Sequence, residues 1–407
     1  MCRRLSSYLD AYGAFRYRDF RFLTSGMFLG SIAAQMLSVA VSWDLYSRTH
    51  SALVLGNVGL VQVAPTLLFT LFSGHAADRY DRRRLMVITQ IAAFLASLIP
   101  LAGGASLGSL YTCLFLSATA RTFQWPVRGT LLPVLVPAEI LGNAITWSSS
   151  FFEIASVSGP AVAGLLIAAS GANAVDWAQA VIALLAAGSF SSIRYRTPQR
   201  TEAVDMSIRT LLEGVRYLWR NKLMLSAVSL DLFGVLFGGA VALLPIYAVE
   251  ILGGGAKTLG WLRAAPSVGA VTMAISLAHL PRLRRPGPIL LWAVAGFGVA
   301  MMVFGVSRNL WLSLGALFLT GAFDNISVVL RQSLVQGRTP EAVRGRVLAA
   351  TSIFISCSNQ IGAVESGWTA AWLGTVASVA GGGMATVLVV AICAAVSPSL
   401  RRWRELS

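Results

Sequence analysis

Long apolar runs alternate with short polar stretches along the whole chain. The runs lie at about 22–47, 52–77, 84–104, 108–131, 140–169, 173–193, 223–249, 256–280, 287–306, 309–334, 343–364 and 368–396. A helix needs about 20 residues to cross the hydrocarbon layer of a bilayer, so each run can be one crossing. The pattern predicts an all-α polytopic membrane protein with twelve transmembrane helices. The last two runs are separated mainly by Glu365, Ser366 and Gly367. An even number of spans returns the C-terminus to the side of the N-terminus. The sharpest punctuation is Gly74-His75-Ala76-Ala77-Asp78-Arg79-Tyr80-Asp81-Arg82-Arg83-Arg84, six of whose residues are charged. A turn this short makes the second and third spans antiparallel neighbours.

Composition agrees with the pattern. Of the 407 residues 56% are hydrophobic and 12% are charged, against about 25% charged in soluble domains. So little charge cannot cover a soluble surface, and part of this surface must face lipid. The three histidines and four scattered cysteines (Cys2, Cys113, Cys357, Cys393) form no CxxC pair or Cys/His cluster. Neither a metal site, a disulfide framework nor a cofactor is expected. No Gly-rich segment leads into Gly-Lys-Ser or Gly-Lys-Thr, which disfavours ATP coupling.

The net charge of +15 could suggest a nucleic-acid partner, but the positions of the charges argue against one. With both termini placed in the cytoplasm, 28 of the 32 Lys and Arg residues fall in cytoplasmic segments or at cytoplasmic span ends. That bias is the positive-inside rule, and it supports the span register as well as the orientation.

Residues 1–21 read as a cytoplasmic and interfacial segment, since they are basic and lack a signal peptide's apolar core. Residues 22–193 form a first six-helix bundle, and 194–222 a cytoplasmic linker. In the linker Ile208, Leu211, Leu212, Val215, Leu218 and Trp219 recur at helical spacing, as in a helix lying at the membrane surface. Residues 223–396 form a second six-helix bundle and 397–407 a cytoplasmic tail. Two such bundles joined by a basic linker suggest an alternating-access transporter. A catalytic cluster or a sizeable soluble domain, which an enzyme or a receptor scaffold would need, is not found. Weak repetition relates the halves. The turn at 74–84 is echoed at 279–285 without its Gly and Asp residues, and Arg128 to Glu139 is echoed by Arg331 to Glu341.

These residues carry a resemblance to the major facilitator superfamily over nearly all of the chain. Gly74, Asp78, Arg79, Arg82 and Arg83 match its loop signature between spans two and three. The resemblance implies the major facilitator fold and a gating role for these five, with Arg128, Arg331, Arg344 and Arg346 as further members and Arg128 as a partner for Asp78. Gly159, Pro160 and Gly164 in span five resemble the antiporter motif of exporters, a helix-kink motif. Phe20-Arg21-Phe22-Leu23, Trp43-Asp44-Leu45-Tyr46, Arg344-Gly345-Arg346-Val347 and Gly381-Gly382-Gly383 resemble the enterobactin-exporter-like branch of drug and siderophore exporters. The resemblance implies a multi-pass protein of a bacterial inner membrane.

A charged side chain deep in a membrane is costly unless it faces a cavity or a partner. Glu153, Asp231, Asp324 and Asp44 are therefore the proton-coupling candidates. The alternative for each is structural pairing, for Asp324 with Arg331 and for Glu153 with Arg121. Apart from Arg121, the basic residues are expected at span ends. Aromatic and amide residues suited to an amphipathic solute are Gln35, Trp43, Gln62, Phe123, Trp125, Trp147, Phe151, Phe233, Phe237, Phe323, Asn325 and Asn359. Lipid contact or core packing is the competing reading for many of them. The expected function is proton-coupled efflux of a small amphipathic or aromatic solute by a monomer. The alternative is an importer or lipid-type flippase of the same fold.

Overall fold

The computed structural model describes residues 12–104, 106–195, 208–279 and 285–403, without the side chains at 78, 103, 208–211, 278 and 341–342. The expectations for residues 1–11, most of the linker at 196–207, the echoed basic turn at 280–284 and the tail from 404 lie outside the described residues. So do the side chains of Asp78 and Glu341.

Every long element described is a helix. They are α1 (Arg18–Thr49), α2 (Ala52–Arg79), α3 (Arg82–Gly103), α4 (Leu107–Leu135), α5 (Leu141–Ser170), α6 (Ala172–Ser191), α7 (Ile208–Arg220), α8 (Lys222–Phe237), α9 (Ala256–His279), α10 (Pro286–Val306), α11 (Leu310–Arg338), α12 (Glu341–Leu373) and α13 (Thr375–Val396). Among the described residues, ten stretches are long and apolar enough to cross a membrane. α4 and α9 have the length, and each carries two basic residues, Arg121 and Arg128 in one and Lys257 and Arg263 in the other. α4 packs along α3, and α9 along α11, which places both within the bundles.

The chain divides into two compact units, residues 1–41 with 64–205, and 42–63 with 206–407. The facing ends of α1 and α2 belong to the second unit. In the first unit α3 packs against α4 and α6; in the second α10 packs against α11 and α13. This equivalence supports the weak repeat in the sequence. It is sharpened by two one-residue turns at matching places. Gly171 (φ 82°) joins α5 to α6 and Gly374 (φ 88°) joins α12 to α13. At such φ values a Cβ is strained, so glycine is needed.

Two boundaries differ from those expected. α12 runs through Glu365-Ser366-Gly367 and stops only at Leu373. The polar residues there are helix interior, with Ser366 buried and its carbonyl accepting from Ser378 Oγ at 3.0 Å. The seventh crossing, expected to be continuous over 223–249, breaks after Phe237. It continues as a 3₁₀ turn at Ala240–Leu243 and ends in a π turn at Tyr247–Ile251. The break falls at Gly238-Gly239, where α12 lies so close that a Cβ on Gly239 would stand 2.6 Å from the Gly362 carbonyl.

α7 packs on α12 and α8. Leu218 enters the second unit's core with Leu223, Met224, Leu334, Val347 and Trp403. Arg346 Nη1 donates to Glu213 Oε2 at 2.5 Å. In the first unit, Leu23, Ala77, Met86, Val127, Leu131 and Phe190 close the core beneath the basic turn.

Candidate functional site

The second unit holds a pocket lined by Asp231, Gly234 and Val235 of α8, Val294 and Phe297 of α10, and Phe323, Asp324 and Ser327 of α11. Two of the acids read from the sequence thus meet in one place. Arg331 stands one turn beyond Ser327 on α11 and forms a buried ion pair with Asp231, their side chains 3% and 6% exposed. Ser327 Oγ donates to Asp231 Oδ1 at 3.4 Å.

This corrects two sequence expectations. Arg331, expected at a helix end, is buried because α11 continues two turns past it to Arg338. The partner of Arg331 is Asp231 from another helix, not Asp324 two turns back on its own. Among the described residues Asp324 makes no hydrogen bond or ion pair and faces the pocket. Beside it, Asn325 has a buried Oδ1 with no partner.

In the first unit two side-chain bonds made by amides join neighbouring helices. Gln124 Nε2 of α4 donates to Gln90 Oε1 of α3 at 2.9 Å, and Gln35 Nε2 of α1 donates to Ser156 Oγ of α5 at 3.4 Å. The Gly-Pro motif explains the second contact. A Cβ at Gly159 would lie 2.6 Å from Gln35 Cβ, so the absent side chain lets α1 cross α5 at this point. Pro160 and Gly164 are buried in the same stretch, and α5 stays continuous through the proline. Glu153 lies half-buried on α5. Among the described residues it makes no ion pair, so the alternative of a pairing with Arg121 is not formed.

Trp147 and Phe151 belong to an aromatic cluster at the start of α5. Phe15 packs edge-on against both, with ring centroids 5.1 and 6.2 Å away, and Tyr12 stacks on Trp147 at 5.5 Å. Ala14 N donates to Asn143 Oδ1 at 3.1 Å and ties the preceding segment down.

The basic turn is a set of helix fasteners. Asp81 caps α3 by accepting from Arg84 N at 2.9 Å. Arg82 Nη1 donates to the Thr130 carbonyl of α4 at 3.1 Å, and Arg83 to the Ser191 carbonyl at the end of α6. A cation is favourable at a helix C-terminus, where unpaired carbonyls concentrate negative charge. Gly74 is buried in α2 and Arg79 is exposed in its last turn. Arg128 sits over the rings of Trp125 and Phe152, at 6.0 and 5.7 Å.

The ends of α1 and α2 that belong to the second unit are held there by contacts that sequence reading did not pick out. Tyr46, 1% exposed on α1, donates its hydroxyl to Glu250 in the π turn. Arg263 Nη2 of α9 donates to Ser42 Oγ at 2.9 Å, and Trp368 Nε1 of α12 to Asn57 Oδ1 of α2 at 3.2 Å. Here α2 and α12 touch backbone to backbone. A Cβ on Gly56 would lie 2.9 Å from Gly367 Cα. The available signal was Arg263, an arginine well inside an apolar run, which needs a partner in lipid.

The remaining predicted residues are dispersed. Asp44 is buried one turn before Arg48. Trp43 and Gln62 are half-buried, and Trp125 and Phe233 are exposed. Phe123 packs near Phe69, Phe237 lies at the α8 break against Gly382, and Asn359 turns back to the Ile355 carbonyl at 2.9 Å. Arg344 Nε donates to the Thr339 carbonyl at 3.3 Å. The sequence reading missed Phe297, Gln90 and Gln124, each of which lies in an apolar run without a motif around it.

Comparison with known proteins was made on this background. The family model described as Major Facilitator Superfamily matches residues 23–363. Relatives called enterobactin exporter EntS, from Shigella boydii serotype 4 (strain Sb227) and Escherichia coli O1:K1 / APEC, are each 26% identical over 400 residues, covering 95% of this chain and 93% of theirs. Among solved structures, a peptide transporter POT in complex with sulfate superposes with a TM-score of 0.75 at 12% identity, covering 95% of this chain and 96% of the other. A bacterial homologue of the human lysosomal transporter Spinster superposes with a TM-score of 0.71 at 14% identity, with the same coverage. Such likenesses speak to the fold alone.

Proposed function

The chain belongs to the major facilitator superfamily, and from that premise we propose that it is a proton-coupled exporter of a small amphipathic or aromatic solute. It works as a monomer by alternating access in a bacterial inner membrane, with the basic turn and both termini on the cytoplasmic side. Transport, rather than enzyme chemistry, follows the family and the relatives that share it. The Gly-Pro motif, with its close α1–α5 crossing at Gly159, supports export over import.

The observation that carries the coupling is the unequal treatment of two acids in one pocket. Asp231 has its charge balanced by Arg331, whereas Asp324 has no fixed cation beside it. A group that takes up and releases a proton each cycle must be able to lose its charge without orphaning a buried cation. Neutralising Asp231 would orphan Arg331, at a cost of about 3–5 kcal/mol. Asp324 can be neutralised without that cost. It is therefore assigned the proton, and the Asp231–Arg331 pair the role of holding α8 and α11 in register.

The test uses proteoliposomes with a trapped pH-sensitive dye. Enterobactin, named for the relatives, is the first cargo offered. Movement of cargo down its gradient drives protons the opposite way with wild-type protein and fails to do so with Asp324→Asn. Cargo flux that is equal in wild type and Asp324→Asn, with no proton movement, rejects the coupling. Flux that concentrates cargo on the cytoplasmic side rejects export.

A further inference from the structure

α7 has more apolar surface than the bundle beneath it covers. Leu218 enters the core of the second unit and Val215 packs against it. Leu212 and Trp219 stay outside, 58% and 68% exposed. Arg216 stands between them in the spacing i, i+4, i+7, so the three share one outward stripe of the helix. Arg216 and Arg220, one turn further on, are exposed, as is Lys222 at the start of α8. Among the described residues neither arginine makes a hydrogen bond or an ion pair. The acid of the helix, Glu213, is already taken by Arg346. The stripe therefore carries uncompensated positive charge beside open apolar surface.

The helix is also held at a fixed level. Asn221 follows it directly and caps α8, its side chain accepting from Met224 N at 3.2 Å. Tyr217 Oη donates to the carbonyl of Arg338, the last residue of α11, at 3.2 Å. Arg346, the partner of Glu213, lies in the second turn of α12. A Cβ on Gly214 would stand 2.8 Å from the Arg346 carbonyl carbon, so the absent side chain lets α7 lie on the α12 backbone. The ends of three crossings thus meet α7, which sets it at the boundary between hydrocarbon and water. At that level an apolar stripe enters the acyl boundary, while arginines reach back to the headgroups. A zwitterionic headgroup brings its own cation to its phosphate. An anionic one does not, and the planar guanidinium fork matches phosphate oxygens.

We propose that the outward stripe of α7 is a binding site for an anionic phospholipid, Arg216 and Arg220 holding the headgroup and Leu212 and Trp219 the start of the acyl chains. A lipid bound there is held against the joint of α11 and α12. The site needs only the membrane placement of the chain and is independent of cargo, direction and proton coupling.

The test uses purified full-length protein in nanodiscs and the quenching of tryptophan by phospholipids brominated near the headgroup end of their chains. Brominated phosphatidylglycerol is titrated into phosphatidylcholine, and brominated phosphatidylcholine into phosphatidylglycerol. The difference between wild type and Trp219→Phe isolates the signal of Trp219 from the other tryptophans. Each arginine near a membrane surface is worth about fivefold in affinity for anionic lipid, so Trp219 should prefer phosphatidylglycerol by about 25-fold. Arg216→Gln or Arg220→Gln should each lower the preference about fivefold, and the two together should leave it near one. Thermal melting of each variant checks that it is folded. If the arginine variants do not fold, the wild-type preference decides by itself. A wild-type preference below about threefold, or one that stays within about threefold of wild type in the folded double variant, overturns the proposal. So does a Trp219 that neither lipid quenches. The readout involves no flux, so loss of the export reading leaves this site standing, and loss of the site leaves export standing.

Discussion

Asp231→Asn is the substitution whose cost can be worked most directly from the structure. Arg331 is 2% exposed and Asp231 5% exposed, on helices α11 and α8 of one bundle. The asparagine still offers an oxygen to Ser327, so the hydrogen bond at 3.4 Å can survive. What is lost is the charge that balances Arg331. Removing one partner of a buried pair costs about 3–5 kcal/mol, because the other charge is left without compensation. Replacing both partners by apolar residues of similar size is often neutral, or stabilising by about 1–4 kcal/mol. Asp231→Leu with Arg331→Met should therefore be far more stable than Asp231→Asn alone. Unfolding in mixed micelles, followed by tryptophan fluorescence against denaturant, gives the free energies. The ordering wild type and double variant above single variant, separated by at least about 2 kcal/mol, is expected. A single variant within about 1 kcal/mol of wild type, or a double variant as unstable as the single, would refute the buried-pair reasoning.

Other perturbations probe the remaining parts. Gly56→Leu and Gly59→Leu place side chains where the α12 backbone at Gly367 and Gln360 stands. In a chain freed of native cysteines they should raise labelling of a cysteine at Ser42 by a membrane-impermeant maleimide; labelling that does not rise counts against a closing role for the α2–α12 backbone contact. Gly159→Ile should push α1 off α5, costing about 1–3 kcal/mol by overpacking and abolishing flux, and normal flux would show that the close crossing is dispensable. Arg83→Ala removes a cation from the end of α6 and should cost about 0.3–1 kcal/mol in thermal stability. Asp78→Asn should slow transport more than Arg284→Ala does, and the reverse order would deny the first basic turn its larger share of gating.

The fold was legible because its physics is repetitive. A run long enough to cross lipid is visible without any knowledge of its neighbours. The basic turn was legible for the same reason, being local in sequence. The pocket was only half legible. Asp231 and Asp324 stand out because acids are rare in apolar runs, but nothing local shows which of them Arg331 takes as partner. That choice depends on how α8 meets α11. Phe297 could not be distinguished from other phenylalanines in apolar runs, since its place in the pocket lining depends on the missing side chain of Gly238 at the break after α8. The end of α12 was misplaced because Glu365-Ser366-Gly367 reads as a loop by polarity. In the structure Ser366 is paired and Gly367 serves a backbone contact, so the polar residues are satisfied inside the helix.

The division of α1 and α2 between the units leaves a short stretch of each helix in the second unit. The division falls between Val41 and Ser42 in one helix and between Val63 and Ala64 in the other. Those stretches are fastened within the second unit by three side-chain bonds, Tyr46 on Glu250, Arg263 on Ser42 and Trp368 on Asn57. A residue that reads by position as part of the first six-helix bundle can thus owe its place to partners more than 200 positions away in the chain.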